Sequence, residues 1–240
     1  MRRIRHIQQN PVCDESVMFS IRIPSDILTA MKKPRRPNIS LRKEPQQARS
    51  TDLVKAILEA AVQVLLREGA ARFTTARVAE RAGVSVGSIY QYFPNKAAIL
   101  FRLQSDEWGQ TTEMVRVLLE DSRKPPLLRL RALVHAFLRS EFEEAAVRLA
   151  LNDAAPLYRD GEQAQALAHA WDGIIARFMR EALPTVSPRR RKLAGEMVMS
   201  TLTTMGEHLS RTPRPDSEIK RHADAMADMF SAYLDSLATA

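Results

Sequence analysis

The sequence predicts an all-α protein, and three observations lead to that prediction. Only 8 of the 240 residues are glycine, while alanine, leucine, arginine and glutamate, which favour helices, are abundant. Apolar residues recur at helical spacing over most of the chain beyond residue 50. No stretch alternates Val, Ile or Thr with polar residues between hairpin signals. The sequence therefore offers helices to pack against one another and no strand from which a sheet could be built.

Residues 1–49 form a basic extension that we predict to be mostly disordered. The segment has no sustained periodicity and contains five prolines, although a short ordered piece is expected near residues 19–31. Its run KKPRRP, at residues 32–37, has two interpretations, a solvated tail or a basic arm against DNA phosphates or in a minor groove. Met18 and Met31 are alternative translation starts, in which case the residues upstream would be an artefact of gene annotation.

Four helices are expected between residues 50 and 120, each bounded by residues that favour a helix start or end. The expected starts are Ser50 or Thr51, Thr74 or Thr75, Ser85 and Asn95, and the expected ends are Gly69, Gly83 and Pro94. Between these signals lie a long helix, two short helices (TARVAERA and VGSIYQYF) and a second long helix that runs toward residue 120. We assign residues 50–100 to one small domain.

Beyond Pro125 the predicted helices are longer and more apolar. They cover residues 127–151, 161–183, 189–210 and 215–237, and we assign residues 101–240 to a second, larger helical domain. No apolar run approaches the ~20 residues that span a bilayer, and no signal-peptide pattern follows the first arginines. The single cysteine, Cys13, excludes an internal disulfide and a cysteine-rich zinc site. We therefore expect a soluble protein of the cytoplasm.

The positive charge lies in the first part of the chain. Residues 1–105 carry 18 Lys and Arg against eight Asp and Glu, whereas residues 106–240 carry 18 against 20. Such asymmetry is typical of a protein whose N-terminal part meets a polyanion. An unfolded basic tail on a neutral protein would explain most of the same excess, so the charge supports nucleic-acid binding without establishing it.

The stretch GVSVG at residues 83–87 fits the G-x-S-x-G pattern of a serine hydrolase. That pattern requires a strand before the serine, so that a tight turn can raise the hydroxyl above a sheet. Here the preceding ARVAERA is helical, and no strand is predicted elsewhere. We reject a nucleophilic role for Ser85 and expect no catalytic residue, no metal site and no cofactor.

Two short helices joined through a glycine are instead typical of a helix-turn-helix motif. Ala79 is small enough for the second helix to cross closely, and Gly83 can adopt the left-handed conformation that ends the first helix. Ile89 and Phe93 are expected to face inward, onto the helix of residues 51–67. The opposite side carries Val86, Ser88, Tyr90, Gln91 and Tyr92, a surface poorly suited to burial and well suited to a major groove.

The run TARVAERAGVSVGSIYQYFPNK, from Thr75 to Lys96, resembles the N-terminal domain of tetracycline-repressor (TetR) family regulators. Its diagnostic pattern, counted from Thr75, is T-x-x-x-A-x-x-x-G-V-S-x-G-x-x-Y-x-Y-F-x-x-K, and the resemblance is strong over residues 50–100. The rest of the chain is similar to the family only in being several long helices. The resemblance implies a homodimeric transcriptional regulator, most often a repressor, that binds a palindromic DNA operator and responds to a small ligand.

The same resemblance implies a set of DNA contacts. Thr75 would bind a phosphate at a helix N-terminus, Gln91 would pair with an adenine, and Val86 would touch a thymine methyl. The complete set of expected DNA-binding residues is Thr75, Arg77, Ser85, Val86, Gly87, Ser88, Tyr90, Gln91, Tyr92 and Lys96. Core packing remains an alternative for Tyr90 and Tyr92, and a solvated surface position remains one for Gln91.

In such a family the C-terminal helices would form both the dimer interface and the effector pocket. The helices at about 189–210 and 215–237 are the expected dimer interface, in a four-helix bundle. Methionines concentrate in this half, which favours an apolar effector but is equally explained as core packing. The residues expected around the pocket are Phe137, Glu141, Trp171, Ile175, Phe178, Met179 and Met205.

Two other classes of function remain open at this point. An enzyme would need a catalytic constellation that the sequence does not offer. A helical adaptor could keep the fold while having lost sequence-specific DNA binding. In that case its affinity for DNA would not exceed the electrostatic background that any basic protein has.

Overall fold

A computed structural model of the chain describes residues 38–42, 48–158 and 171–239. Within these ranges it contains nine α-helices, one 3-10 turn and no strand, so the all-α prediction is confirmed. The helices are α1 (Ala48–Arg72), α2 (Thr75–Ala82), α3 (Val86–Tyr90), α4 (Lys96–Leu119), α5 (Pro126–Glu143), α6 (Ala145–Ala154), α7 (Asp172–Ala182), α8 (Pro188–Ser210) and α9 (Asp216–Ala238), and the 3-10 turn covers Ala155–Leu157. No helix in these ranges is both long enough and apolar enough to cross a membrane.

Some expectations fall on other parts of the chain. The ordered piece near residues 19–31, the KKPRRP run at 32–37 and the part of the predicted 161–183 helix before Trp171 lie outside the described residues. The described residues belong to one compact unit, Arg36–Ala240. The proposed division at residue 100 into a small and a large domain stays a prediction.

Helix α1 starts earlier than the sequence predicted. It begins at Ala48, so Ser50 and Thr51 lie inside its first turn and neither is the N-cap. Its predicted end is correct, because Gly69 leaves the helical conformation with φ 74° and ψ 168° and breaks the helix before Arg72. A residue with a side chain rarely adopts such a positive φ, whereas glycine does so at no steric cost.

The helix-turn-helix is built by local capping. Thr74 caps α2 by accepting from the Arg77 N–H, and Ser85 caps α3 by accepting from the Ser88 N–H. Asn95 caps α4 in the same way, through the Ala98 N–H at 2.9 Å. These bonds satisfy backbone donors that have no partner within the helix, so three polar residues fix where each helix begins.

Gly83 ends α2 in the left-handed conformation, with φ 67° and ψ 30°. A Cβ at this position would meet no neighbouring atom within 4 Å, so the requirement for glycine comes from the backbone alone. We expect Gly83→Ala to lower the free energy of unfolding by roughly 1–2 kcal/mol. Thermal unfolding checks this, with Gly173→Ala as the control: Gly173 also has open space around it but no positive φ. Equal melting temperatures for both variants would contradict the expectation.

Two hydrophobic clusters organise the described chain. The first lies beneath the helix-turn-helix and is formed by α1 to α4 together with Leu151 and Ala154 at the end of α6 and Tyr158 after the 3-10 turn. The second is formed by the later part of α4 with α5, α7, α8 and α9. Helix α4 contributes to both clusters, because Ile99 and Leu100 lie in the first and Val115 in the second.

The predicted helix of residues 127–151 is in fact two helices. The chain leaves the regular helix at Glu144, with φ −106° and ψ 8°, and α6 continues after it. The two helices place their apolar residues in different hydrophobic clusters. Leu133 and Phe137 on α5 pack in the second cluster, whereas Leu151 on α6 packs in the first.

Candidate DNA-binding interface and internal cavity

Helix α3 is held with its polar face outward. Ile89 and Phe93 are completely buried, as predicted, while Val86 and Tyr90 remain 37% and 39% exposed. Gly87 and Gln91 are also exposed. Since the buried side is anchored in the first hydrophobic cluster, the outward face is a rigid surface that carries small and hydrogen-bonding groups.

Three hydrogen bonds order side chains on this face. The Tyr90 hydroxyl lies 3.2 Å from Thr75 Oγ1, which joins the end of α3 to the first residue of α2. The Ser85 hydroxyl lies 2.8 Å from that of Ser88 while it also accepts from the Ser88 N–H. The hydroxyl of Ser85 is therefore occupied in capping, which explains its place in the GVSVG stretch without nucleophilic chemistry.

Arg77 and Lys96 make bonds within the protein. Arg77 forms an ion pair with Glu68 and donates to the Arg72 carbonyl at 3.0 Å. Lys96 Nζ lies 3.4 Å from the carbonyl of Phe73. Both side chains support the connection between α1 and α2 in the free protein, and their contacts with DNA phosphates stay predictions.

Tyr92 does not lie on the outward face, contrary to the sequence prediction. It is only 6% exposed and belongs to the first hydrophobic cluster. The reason is that α3 ends at Tyr90 rather than at Phe93, so helical periodicity no longer sets the direction of the next side chains. The alternative of core packing, left open in the sequence, is therefore the correct one for the ring of Tyr92.

Residues 38–42 lie against the helix-turn-helix, a feature that the sequence analysis missed. The Arg42 N–H donates to the Tyr92 carbonyl at 2.8 Å, and its guanidinium donates to the Tyr90 carbonyl at 3.3 Å. Asn95 Nδ2 donates to the Asn38 carbonyl at 2.9 Å, and Ile39 is buried in the first cluster. The sequence does contain a signal for this contact. Ile39 and Leu41, two residues apart in NISLR, are aliphatic within an otherwise polar and proline-rich stretch. Arg42 thus places a cation beside the end of α3.

A cavity of about 550 Å³ lies between α4, α5, α6 and α8. Aromatic side chains on its wall are Trp108, Phe137 and Trp171, and the rings of Phe137 and Trp171 pack nearly perpendicular to each other with centroids 6.2 Å apart. The Trp171 indole N–H donates to Thr112 Oγ1 at 2.8 Å, which fixes the ring. This volume suits a ligand of small-molecule size.

A charged cluster stands at one side of the cavity. Arg148 of α6 forms ion pairs with Glu107 at 3.0 Å, with Glu144 at 2.9 Å and with Glu141. Its guanidinium also donates to Ser140 Oγ at 2.7 Å. Glu141 and Glu144 lie within seven residues of Arg148, whereas Glu107 comes from α4, so the cluster joins α4 to the break between α5 and α6.

Burial raises the pKa of Glu107 and of Glu141 above the ordinary value of a glutamate, and Arg148 opposes the rise in each case. The neighbouring carboxylates add to it, Glu144 beside Glu107 and both Glu107 and Glu207 beside Glu141. The direction of both shifts means that one guanidinium does not offset the cost of placing these negative charges together in a partly dehydrated site.

The cavity differs in part from the pocket expected from the sequence. Phe137, Glu141 and Trp171 line it, but four other expected residues do not. Ile175, Phe178 and Met179 are packed in the second hydrophobic cluster, and Met205 points outward with 37% exposure. The first three lie on α7, which contributes no residue to the cavity wall, and Met205 lies on α8 but on a side of the helix that faces away from the cavity.

Two family models match the chain, one over the helix-turn-helix and one over the C-terminal helices. Residues 57–103 match the family model "Bacterial regulatory proteins, tetR family", and residues 125–237 match "Tetracyclin repressor-like, C-terminal domain".

The chain belongs to the TetR family.

Among curated proteins, this TetR-family chain is similar to the nucleoid occlusion factor SlmA of Vibrio campbellii, with 37% identity over 93 residues. That match covers 38% of this chain and 46% of the relative, so the chain spans about half the length of that protein. Members of the family are DNA-binding regulators rather than enzymes, which agrees with the rejection of a nucleophilic Ser85.

Solved TetR-type structures share the fold over most of the chain. SmeT, the repressor of the Stenotrophomonas maltophilia multidrug efflux pump SmeDEF, has a TM-score of 0.60 and 23% identity, covering 75% of this chain and 89% of SmeT. The regulator FadR of Bacillus subtilis, solved in complex with stearoyl-CoA, has a TM-score of 0.58 and 17% identity, covering 73% of this chain and 96% of FadR. At these identities the likeness establishes the fold.

Proposed function

We propose that this TetR-family chain is a sequence-specific transcriptional repressor that binds a palindromic operator as a homodimer and is released by a small-molecule effector. The observation that carries the proposal is the outward face of α3, which Ile89 and Phe93 hold in place from below. A short rigid helix with glycine, serine, tyrosine and glutamine outward can enter a major groove and contact base edges. Its place of action would be DNA in the cytoplasm.

The predicted DNA contacts divide into two kinds. Val86, Gly87 and Gln91, at the exposed surface of α3, would approach base edges. Thr75 and Tyr90, joined by their hydrogen bond, would bind one phosphate together, and Ser85 and Ser88 would contact the backbone beside them. Arg42, at the end of α3, adds a cation that the sequence analysis had not assigned. Arg77, Lys96 and the hydroxyl of Tyr92 would reach phosphates only if their present positions change on binding.

The proposed dimer interface is formed by α8 and α9. Leu193 and Met197 on α8 and Met229 on α9 are each more than half exposed, and Met205 on α8 is 37% exposed. The neighbouring exposed residues on α9 include Ala225 and Ala232, whose small side chains permit close helix approach. A second copy of the same face would bury these side chains in a four-helix bundle, which is the arrangement expected from the sequence.

Replacing Met197 and Met229 together with glutamate is expected to convert the dimer into monomers, since two buried carboxylates in each half-interface would have no partner. Analytical ultracentrifugation measures the change. Leu128→Glu is the matched control, because Leu128 is equally exposed at 55% but lies on α5. A double variant that sediments like the unaltered protein would contradict the proposed interface.

Coupling between effector and DNA would pass through α4 and α6. Helix α4 begins at the helix-turn-helix and carries Glu107 and Trp108 into the cavity wall. Helix α6 places Arg148 in the cavity and, one turn later, Leu151 in the first hydrophobic cluster. A ligand that alters the spacing of these helices would change the separation of the two recognition helices, which must match half-sites about 34–36 Å apart.

Gel-shift titration with DNA from the promoter of the protein's own gene tests the proposed function. We expect binding that resists a large excess of unrelated DNA, with specific affinity at least about 10³-fold above the non-specific level. Binding that the unrelated DNA removes equally well would favour the adaptor, which keeps only the electrostatic background.

A further inference from the structure

We propose that the effector is an organic cation with an apolar or aromatic body, bound in the cavity between α4, α5, α6 and α8 with its positive group beside Glu107 and Glu141. The inference rests on the proposed function, since it names the class of ligand to which the repressor responds. It goes against the apolar effector that the methionine content favoured.

The ionisable side chains around the cavity carry more negative than positive charge. Glu107, Glu141 and Glu144 surround Arg148, so this cluster carries three carboxylates and one guanidinium. Farther along the wall, Glu207 and Arg211 pair with each other at 2.8 Å and leave the imbalance unchanged. A cation entering here would neutralise charge that the described residues leave uncompensated, and it would do so where water screens little.

Arg148 is poorly placed to bind an anionic ligand. Its Nε and Nη2 donate to Glu144, its Nη1 donates to Glu141, and its Nη2 also donates to Ser140. All three guanidinium nitrogens therefore have acceptors within the protein. A ligand carboxylate would have to displace one of these acceptors and would then lie beside the remaining carboxylates, which repel it.

The rest of the wall suits the body of such a cation. Trp108, Trp171 and Phe137 offer three aromatic rings in a cavity of about 550 Å³. An alkylammonium or a cationic ring is attracted to the faces of tryptophan side chains, and its apolar body gains from leaving water. Negative charge beside aromatic rings therefore favours cations over neutral ligands of equal size.

The same cluster is linked by hydrogen bonds to the helices beneath the helix-turn-helix. Gln104 Nε2 donates to Glu107 at 2.9 Å, and Gln104 Oε1 accepts from the Tyr158 hydroxyl at 3.1 Å. Tyr158 belongs to the first hydrophobic cluster. A cation that draws Glu107 away from Arg148 would therefore act on the contact between α4 and the 3-10 turn that follows α6.

The test uses three probes that share a phenylhexyl body and differ only in the head group: a trimethylammonium, an alcohol and a carboxylate. Trp108 and Trp171 are the two tryptophans of the whole sequence, and both line the cavity, so tryptophan fluorescence reports directly on this site. We expect the trimethylammonium to bind at least about tenfold more tightly than the alcohol, and the carboxylate to bind least.

Glu141→Gln and Glu107→Gln, tested separately in the full-length protein, are expected to remove most of the preference for the trimethylammonium while leaving binding of the alcohol nearly unchanged. The matched control is Glu113→Gln, since Glu113 lies on α4 like Glu107 but is exposed, pairs with Arg116 and is not part of the cavity wall. Circular dichroism establishes that each variant is folded, and two independent variants keep the test valid if one of them is not.

Three results would overturn the inference. The first is tighter binding of the carboxylate than of the trimethylammonium, and the second is equal binding of all three probes. The third is that none of the probes changes the tryptophan fluorescence. Operator binding is measured on the same samples, so the two proposals fail separately. A protein that binds its operator specifically but does not prefer the cation contradicts only the effector class, whereas loss of specific DNA binding contradicts the proposed function itself.

Discussion

Replacing Leu65 with alanine is expected to lower the free energy of unfolding by about 2–5 kcal/mol, because it leaves a cavity in the first hydrophobic cluster. Leu65 lies on α1 and is 1% exposed, among the most completely buried side chains of the described chain. For a protein of this size the loss corresponds to a fall in melting temperature on the order of 10 °C. Since the same cluster holds Ile89 and Phe93, operator binding should weaken as well.

The adjacent residue provides the control. Leu66 is 45% exposed on the other side of the same helix, so Leu66→Ala removes the same atoms from a position that is largely in water. Its expected effect on the free energy of unfolding is below about 1 kcal/mol. Thermal and denaturant unfolding of the two variants measure the difference. Similar losses for both would mean that the buried face of α1 is assigned wrongly.

Replacing Gly87 with alanine is expected to weaken operator binding at least about tenfold, or ~1.4 kcal/mol, without loss of stability. The fold does not require glycine here. The residue has no positive φ, and a Cβ would meet only Ser85 Oγ, at an ordinary 3.6 Å. Alanine is the better helix former, so the folded state should be unchanged or slightly more stable. The added methyl group instead stands on the outward face of α3, where it would keep the helix from closest approach to DNA.

Gly109→Ala is the matched control for this prediction. Gly109 is an exposed glycine in α4, and a Cβ there would meet nothing within 4 Å. We expect it to leave operator affinity unchanged while giving the same small gain in helix stability. Gel-shift titration and thermal unfolding of both variants separate the two effects. An unaltered operator affinity in Gly87→Ala would remove this part of α3 from the proposed interface.

Local signals were sufficient to predict the helix-turn-helix. Thr74, Ser85 and Asn95 cap their helices and Gly83 ends α2 because each residue acts on backbone groups only a few positions away. The failure at Tyr92 has the same origin, since periodicity predicts direction only while the helix continues, and α3 ends two residues earlier. The start of α1 was misplaced by two or three residues because two adjacent capping residues do not decide between an N-cap and the first turn.

The cavity could be predicted only in outline. Its aromatic residues Phe137 and Trp171 were found, but the cluster around Arg148 was not, since Glu107 is 41 positions away from Arg148 in the sequence. Nor does the sequence distinguish an apolar residue that faces a cavity from one that faces the core or a partner. Ile175 and Met205 have similar apolar character, and the first is in the core whereas the second lies at the surface.

The sequence by itself determined the helical class, the capped turn and the outward face of α3, because these depend on interactions within a few residues of one another. Only the tertiary structure decided which side chains meet across helices. It placed the 38–42 segment beside α3, buried the ring of Tyr92 and brought Glu107 of α4 to Arg148 of α6. The physical reason is that burial and charge pairing depend on the rotation and spacing of neighbouring helices, which no single helix encodes.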